Sequence, residues 1–172
     1  MDTDTEHDCA VVAAQLGRAP RQPWRVGARC SHGYPVVILS PSELADGTPF
    51  PSLAWLTCPW LAERVGAQES NGETARWAAS ATADAGLAAS LRRLDEDVRR
   101  ARNTESGGVD ACESVGLAGQ RDPLGVKCLH AHVALALAGF EDPIGATVIA
   151  EGRECADGRC RRLIPTEGAP LG

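Results

Sequence analysis

Large side chains are scarce in this chain: it has one tyrosine, two phenylalanines, four tryptophans and one methionine in 172 residues. An interior must therefore be assembled from alanine, valine and leucine. At 44% hydrophobic content there is enough of these for one ordinary core. Positive charge is also in short supply. Seventeen basic residues face 23 acidic ones, the net charge is −6, and Lys127 is the only lysine. That balance excludes a general binder of nucleic acid or of anionic membranes. No apolar run approaches the ~20 residues that span a bilayer. The opening "MDTDTEHDC" is acidic where a secretory signal needs a basic and then an apolar region, so a cytoplasmic protein is expected. Familiar catalytic signatures are missing as well: there is no HExxH, no HxE with PCxxC, no glycine-rich phosphate loop and no serine elbow.

What the chain does have is seven cysteines and four histidines. In a reducing compartment, seven cysteines suggest metal binding or thiol chemistry in preference to a disulfide framework.

The patterning predicts a small α+β domain over 8–150, an unstructured stretch over 1–7 and a partly irregular tail over 151–172. "DCAVVAAQLG" reads as a helix started at Asp8 and stopped at Gly17. "WRVGARC" and "PVVILS", separated by Ser31-His32-Gly33-Tyr34, read as a β-hairpin. After a proline- and glycine-rich loop over 41–52, "LAWLTC" makes a third strand, and Pro59 fits the first position of a helix running to about Val65. Residues 67–73 read as a loop. Beyond them, with Gly86 as the break, Leu87, Leu91, Leu94 and Val98 recur at helical spacing. The arginines of "LRRLDEDVRRARN" alternate with acids and read as a solvated face. Residues 107–125 are glycine-rich and irregular. "VKCLHAHVALALAG" is the strongest helix signal, with Gly139 as its stop, and 166–172 are expected to fray.

Cysteine and histidine gather near the ends of these elements. Cys30 and His32 sit at the hairpin turn, Cys58 lies where a strand meets a helix, Cys128, His130 and His132 open the long helix, and Cys155 and Cys160 lie in the tail. A structural zinc ion takes four thiolate or imidazole ligands in a closed tetrahedron. On a helix, Cys128 and His132 share a face at i, i+4, whereas His130 projects roughly 160° away. Cys58 at a helix start meets free N–H groups that favour thiolate. The preferred set is therefore Cys30, Cys58, Cys128 and His132, with His130 and His32 as substitutes. The C-x4-C pair in the tail reads as a second clamp, a redox pair or plain buried thiols.

"AAQLGRAPR", "ARCSHGYPVVI", "DGTPFPSLAWLTCP", "VKCLHAHVALALAG" and "DPIG" together resemble an actinobacterial family known as domain of unknown function 501. The resemblance runs with gaps from about residue 10 to 146. In that family the first turn commonly reads Cys-Pro-Cys-Gly, which puts His32 where a cysteine often stands. Such an exchange suits a zinc shell, and the resemblance thereby supports His32 as a ligand. It carries no assigned activity.

Two functions follow as expectations. The first is a zinc-clamped accessory or protein-interaction module, whose partner chemistry the residues do not name. The second is a metal-dependent hydrolase-like or cysteine-thiolate enzyme using the same Cys/His cluster.

Overall fold

The computed structural model describes residues 3–150, 152–156 and 158–163. Its elements follow the order α1 (Thr3–Leu16), β1 (Arg25–Arg29), β2 (Pro35–Leu39), β3 (Ala54–Leu56), α2 (Pro59–Ser70), α3 (Glu73–Ala83), α4 (Ala85–Glu105), α5 (Leu129–Leu137) and α6 (Pro143–Ile149). Two short 3-10 turns cover Leu117–Gly119 and Arg159–Arg162. The architecture is the α+β arrangement expected: among the described residues, one three-stranded antiparallel sheet packs among six helices. The expected frayed end at 166–172 lies outside the described residues.

β2 is the central strand, and all five of its residues are buried. Successive side chains of a strand point to opposite faces, so this strand must be covered on both. α5 packs on β2 and β3, and α1 also packs on β2. Val37 pairs with Leu56, and Leu39 with Ala54. On its other side β2 pairs with β1, where the register slips between Val26 and Arg29. A Cβ at Gly27 would lie 2.8 Å from Cγ of Leu39, so the bulged strand can approach its neighbour only with glycine there. Leu129, Val133, Ile144, Leu61, Leu91 and Val98 complete an interior in which each is 2% exposed or less. Each such side chain contributes about 1.5–3 kcal/mol by leaving water.

Several boundaries differ from those the sequence suggests, each for a physical reason. α1 begins at Thr3, because Asp8 does not cap the helix; its carboxylate binds the Arg29 guanidinium at 2.6 and 2.8 Å. α2 continues through the stretch read as a loop, to Ser70. The break between α3 and α4 falls at Asp84 rather than Gly86, since the Asp84 carboxylate accepts from the Gly86 and Leu87 amides and caps α4. α5 starts only at Leu129, with Cys128 as an extended N-cap residue at φ −155°.

The expected solvated arginine face holds one exception. Arg102 is wholly buried, on the continuation of the Leu91, Leu94 and Val98 stripe. Its Nε donates to both oxygens of Asp110 at 3.0 and 2.9 Å. One terminal nitrogen donates to the carbonyls of Pro51 and Gly116, and the other to those of Cys112 and Val115, at 2.7–3.2 Å. Nearby, the buried Asp95 accepts from the Leu117 amide at 3.1 Å and from Arg99 Nε at 2.7 Å. These bonds give the glycine-rich segment its path. Gly116 lies so close that a Cβ there would stand 1.6 Å from Oδ1 of Asp95.

Arg102→Ala is expected to lower unfolding free energy by about 3–5 kcal/mol, because it strands Asp110 and leaves carbonyls unpaired in the interior. Gly116→Ala should cost about 1–3 kcal/mol through the forced displacement of Asp95. Urea denaturation followed by circular dichroism measures both, and midpoints equal to that of the parent chain would refute this account.

Candidate metal centre

The residues singled out as ligands separate into three places, one of which gains an acid not expected from the sequence. Cys128, His130 and Glu69 form the first. Glu69 lies near the C-terminal end of α2, and Cys128 and His130 flank the start of α5. One donor atom from each lies within 4.8 Å of the others, which makes them the one such group of three among the described residues. His130 Nδ1 faces Glu69 Oε1 at 3.2 Å, and Nε2 bonds the carbonyl of Ala62 at 3.1 Å. A carbonyl only accepts, so Nε2 carries the hydrogen and Nδ1 is turned towards the thiol and the carboxylate. Glu69 Oε1 also accepts from the Leu129 amide at 2.6 Å, capping α5 from a residue 60 positions away. That long-range cap is why the helix begins where it does and why Cys128 stands off its axis.

Without an ion, the charges of this corner are arranged around the imidazole. The hydrogen bond with Cys128 is the largest influence on His130, and with the Glu69 carboxylate it outweighs burial and raises the ring's pKa to about 9. Burial works to raise the Glu69 carboxyl, yet its bonds with His130 and the α5 amides bring it below its ordinary value.

His132 occupies a second place. Because Cys128 is not in helical conformation, the expected i, i+4 face of Cys128 and His132 does not form. His132 is 1% exposed and its Nδ1 meets Asp142 Oδ2 at 2.8 Å. Asp142 also caps α6 by accepting from the Gly145 amide at 2.8 Å. The pair therefore joins α5 to α6, and Nε2 of His132 is buried without a hydrogen-bond partner.

The hairpin turn and the start of α2 make the third place. Cys30 follows β1 directly, with its amide bonded to the Tyr34 carbonyl at 3.0 Å. Gly33 closes the turn at φ +84°, a conformation that glycine adopts without strain. His32 turns to the C-terminal segment, with Nε2 3.0 Å from the carbonyl of Cys155. Cys58 precedes Pro59 as the N-cap of α2 and is 4% exposed. The thiolate character expected of Cys58 is corrected here. Burial raises its thiol to about 11, more than the Leu61 and Trp60 amides lower it. Its sulfur makes no capping hydrogen bond of full geometry, in keeping with the weaker influence of those amides.

Thus the structure brings Cys128 to His130 rather than to His132, Cys30 or Cys58. Glu69 was missed by sequence reasoning because it lies in the 67–73 stretch read as a loop. Its signal was an acid one residue from a helix end, which local spacing cannot connect to Cys128.

Comparison with known proteins adds one finding. A family described as protein of unknown function, DUF501, matches residues 26–150. The chain belongs to that family. Glu69, Cys128 and His130 all lie inside the matched stretch, as do Cys30, Cys58 and His132. No curated protein and no solved structure matches the chain. No described helix is long and apolar enough to cross a membrane.

In metal-free protein the His130 contribution has a defined pH window. The folded-state value, about 9, lies above the ordinary 6.5, so protonated His130 stabilises the fold fully below about pH 6.5. The contribution declines as pH rises through 9. His130→Gln should flatten this decline in a series of thermal melts taken between pH 6 and 10; an unchanged slope would remove His130 as its source.

Proposed function

We propose that the protein is a small metal-binding accessory module in which Glu69, Cys128 and His130 hold a zinc ion. The observation that carries this reading is the convergence of three different donors within 4.8 Å, from two helix ends far apart in sequence. The donor set suits zinc: thiolate, imidazole and carboxylate are its ordinary ligands. The bond from His130 Nε2 to Ala62 is the outer contact by which proteins orient a ligating histidine, and it leaves Nδ1 for the ion. Bound metal displaces the proton that otherwise charges the ring. The carboxylate, already held low, needs no proton removed.

An ion at this corner ties the end of α2 to the start of α5, the helix that covers the sheet. In a chain poor in large core residues, such a tie adds stability that packing supplies less of. An accessory role, with a protein as the partner, is consistent with this stabilising task. The second reading is a hydrolase-like or thiolate enzyme at the same trio. It draws on the hydrogen bond between Cys128 and His130, an arrangement of thiol and imidazole that can activate sulfur.

Elemental analysis of the purified chain should find zinc, and Cys128→Ser, His130→Ala and Glu69→Gln should each reduce the ion bound at this corner by at least tenfold in affinity. Chelation should lower the melting midpoint of the parent chain and leave that of the Cys128→Ser chain less affected. A metal-free parent with an unchanged midpoint would end the clamp reading. Rapid selective alkylation of Cys128 at neutral pH, suppressed by His130→Ala, would favour the enzyme.

A further inference from the structure

Four of the remaining cysteines, from three separate parts of the chain, lie in one neighbourhood, where His32 bonds the Cys155 carbonyl and Gln15 bonds Cys160. Cys160 and Cys155 are each 8% exposed or less, and Cys58, 4% exposed, lies in the main core, against which the half-buried Cys30 packs. Cys58 lies close enough to Cys155 and Cys160 for their charges to interact, and Cys160 in turn to Cys155 and Cys30. All four are free thiols. Cys155 and Cys160 fall beyond the stretch matched to the family.

That segment is fastened at several points around the sulfurs. The Ser31 amide donates to Glu154 Oε1 at 2.9 Å, and the Ser31 hydroxyl donates to the other carboxylate oxygen. His32 bonds the Cys155 carbonyl at 3.0 Å. Arg159 pairs with Glu63 of α2 at 2.6 Å. Gln15 of α1 directs its side-chain amide onto Sγ of Cys160 at 3.2 Å. The Trp60 and Leu61 amides at the start of α2 act on Cys58 in the same sense. Without an ion, burial holds Cys58 and Cys160 as thiols against these donors; sulfurs gathered in such a space become thiolates only when a cation supplies the opposite charge.

We propose that Cys30, Cys58, Cys155 and Cys160 form a second metal site, a four-thiolate shell for an ion of the zinc class that fastens the C-terminal segment to the hairpin turn and to α2. This is the ligand set of closed structural zinc sites, which have no open position for a substrate. Each ligating thiol releases its proton to solvent as the sulfur–metal bond forms, and no oxidant or reductant takes part. These sulfurs do not meet the 4.8 Å mutual spacing that Glu69, Cys128 and His130 do. A tetrahedral shell with metal–sulfur bonds of about 2.3 Å needs them about 3.8 Å apart. Binding therefore draws Cys155 and Cys160 inward towards Cys30 and Cys58.

The site is independent of the Glu69 corner, and the test separates them. The full chain, purified under reductant, is loaded with Zn(II) and in parallel with Co(II), whose thiolate charge-transfer absorption grows with the number of sulfur ligands. The intact chain is expected to bind one ion more than a Cys155→Ser/Cys160→Ser chain. That chain should lose most of the cobalt–thiolate absorption, whereas Cys128→Ser should keep most of it. In the intact chain, Zn(II) should slow alkylation of Cys58 at least tenfold, a readout that needs no variant to fold. Equal metal content and equal cobalt absorption with and without Cys155 and Cys160 would overturn the site, as would a Cys155–Cys160 disulfide in the reduced, metal-loaded protein.

Discussion

A guanidinium removed from water has five N–H groups to satisfy, and the burial of Arg102 imposes that demand on everything around it. Its partners come from the loop before β3 and from the glycine-rich segment after α4. Meeting the demand holds both segments against α4, and with them the start of β3 on which α5 rests. Asp110 supplies the neutralising charge; burial alone would raise its carboxyl, but the bonds from Arg102 keep it below its ordinary value. A segment with little hydrophobic material thus gains a fixed course through polar contacts that bulk water cannot compete for.

The same economy recurs at the helix ends. Several of the residues on which a functional reading rests stand at a helix terminus. Cys58 precedes α2, Glu69 nearly ends it, and Cys128 precedes α5. A terminus leaves backbone groups without helical partners, so side chains and ions find roles there that a helix middle does not offer. Glu69 shows this directly, since its carboxylate caps a helix and faces His130 with the same oxygen. His130 and His132 are two residues apart on one helix, yet one serves this corner and the other holds α6 through Asp142.

Much of the architecture was legible because local rules produced it. Two short strand-like runs around the Ser31–Tyr34 turn marked the hairpin, Pro59 marked the start of α2, and Gly17 and Gly139 marked helix ends. Features set by distant residues were not legible. The late start of α5 depends on an acid 60 residues earlier, so an i, i+4 face was assumed across a residue that is not helical. Arg102 looked solvated because its neighbours are; the clue was its position four after Val98 on the apolar stripe, which composition obscures. Cys30 and Cys58 were legible as candidate ligands, but their neighbours in the tail are brought near by the chain folding back from a distant part of the sequence.

β1 is an edge strand with an arginine at each end, one held by Glu105 and the other by Asp8, and with its register broken at Gly27. An edge presents unpaired amides and carbonyls to any passing strand, and charge and irregularity are how native sheets decline that invitation. Two copies of this chain meeting along β1 would have to bring arginine rows together and match a bulge that has no counterpart. The sheet therefore ends where its third strand ends. Pairing along the β1 edge is disfavoured for that reason.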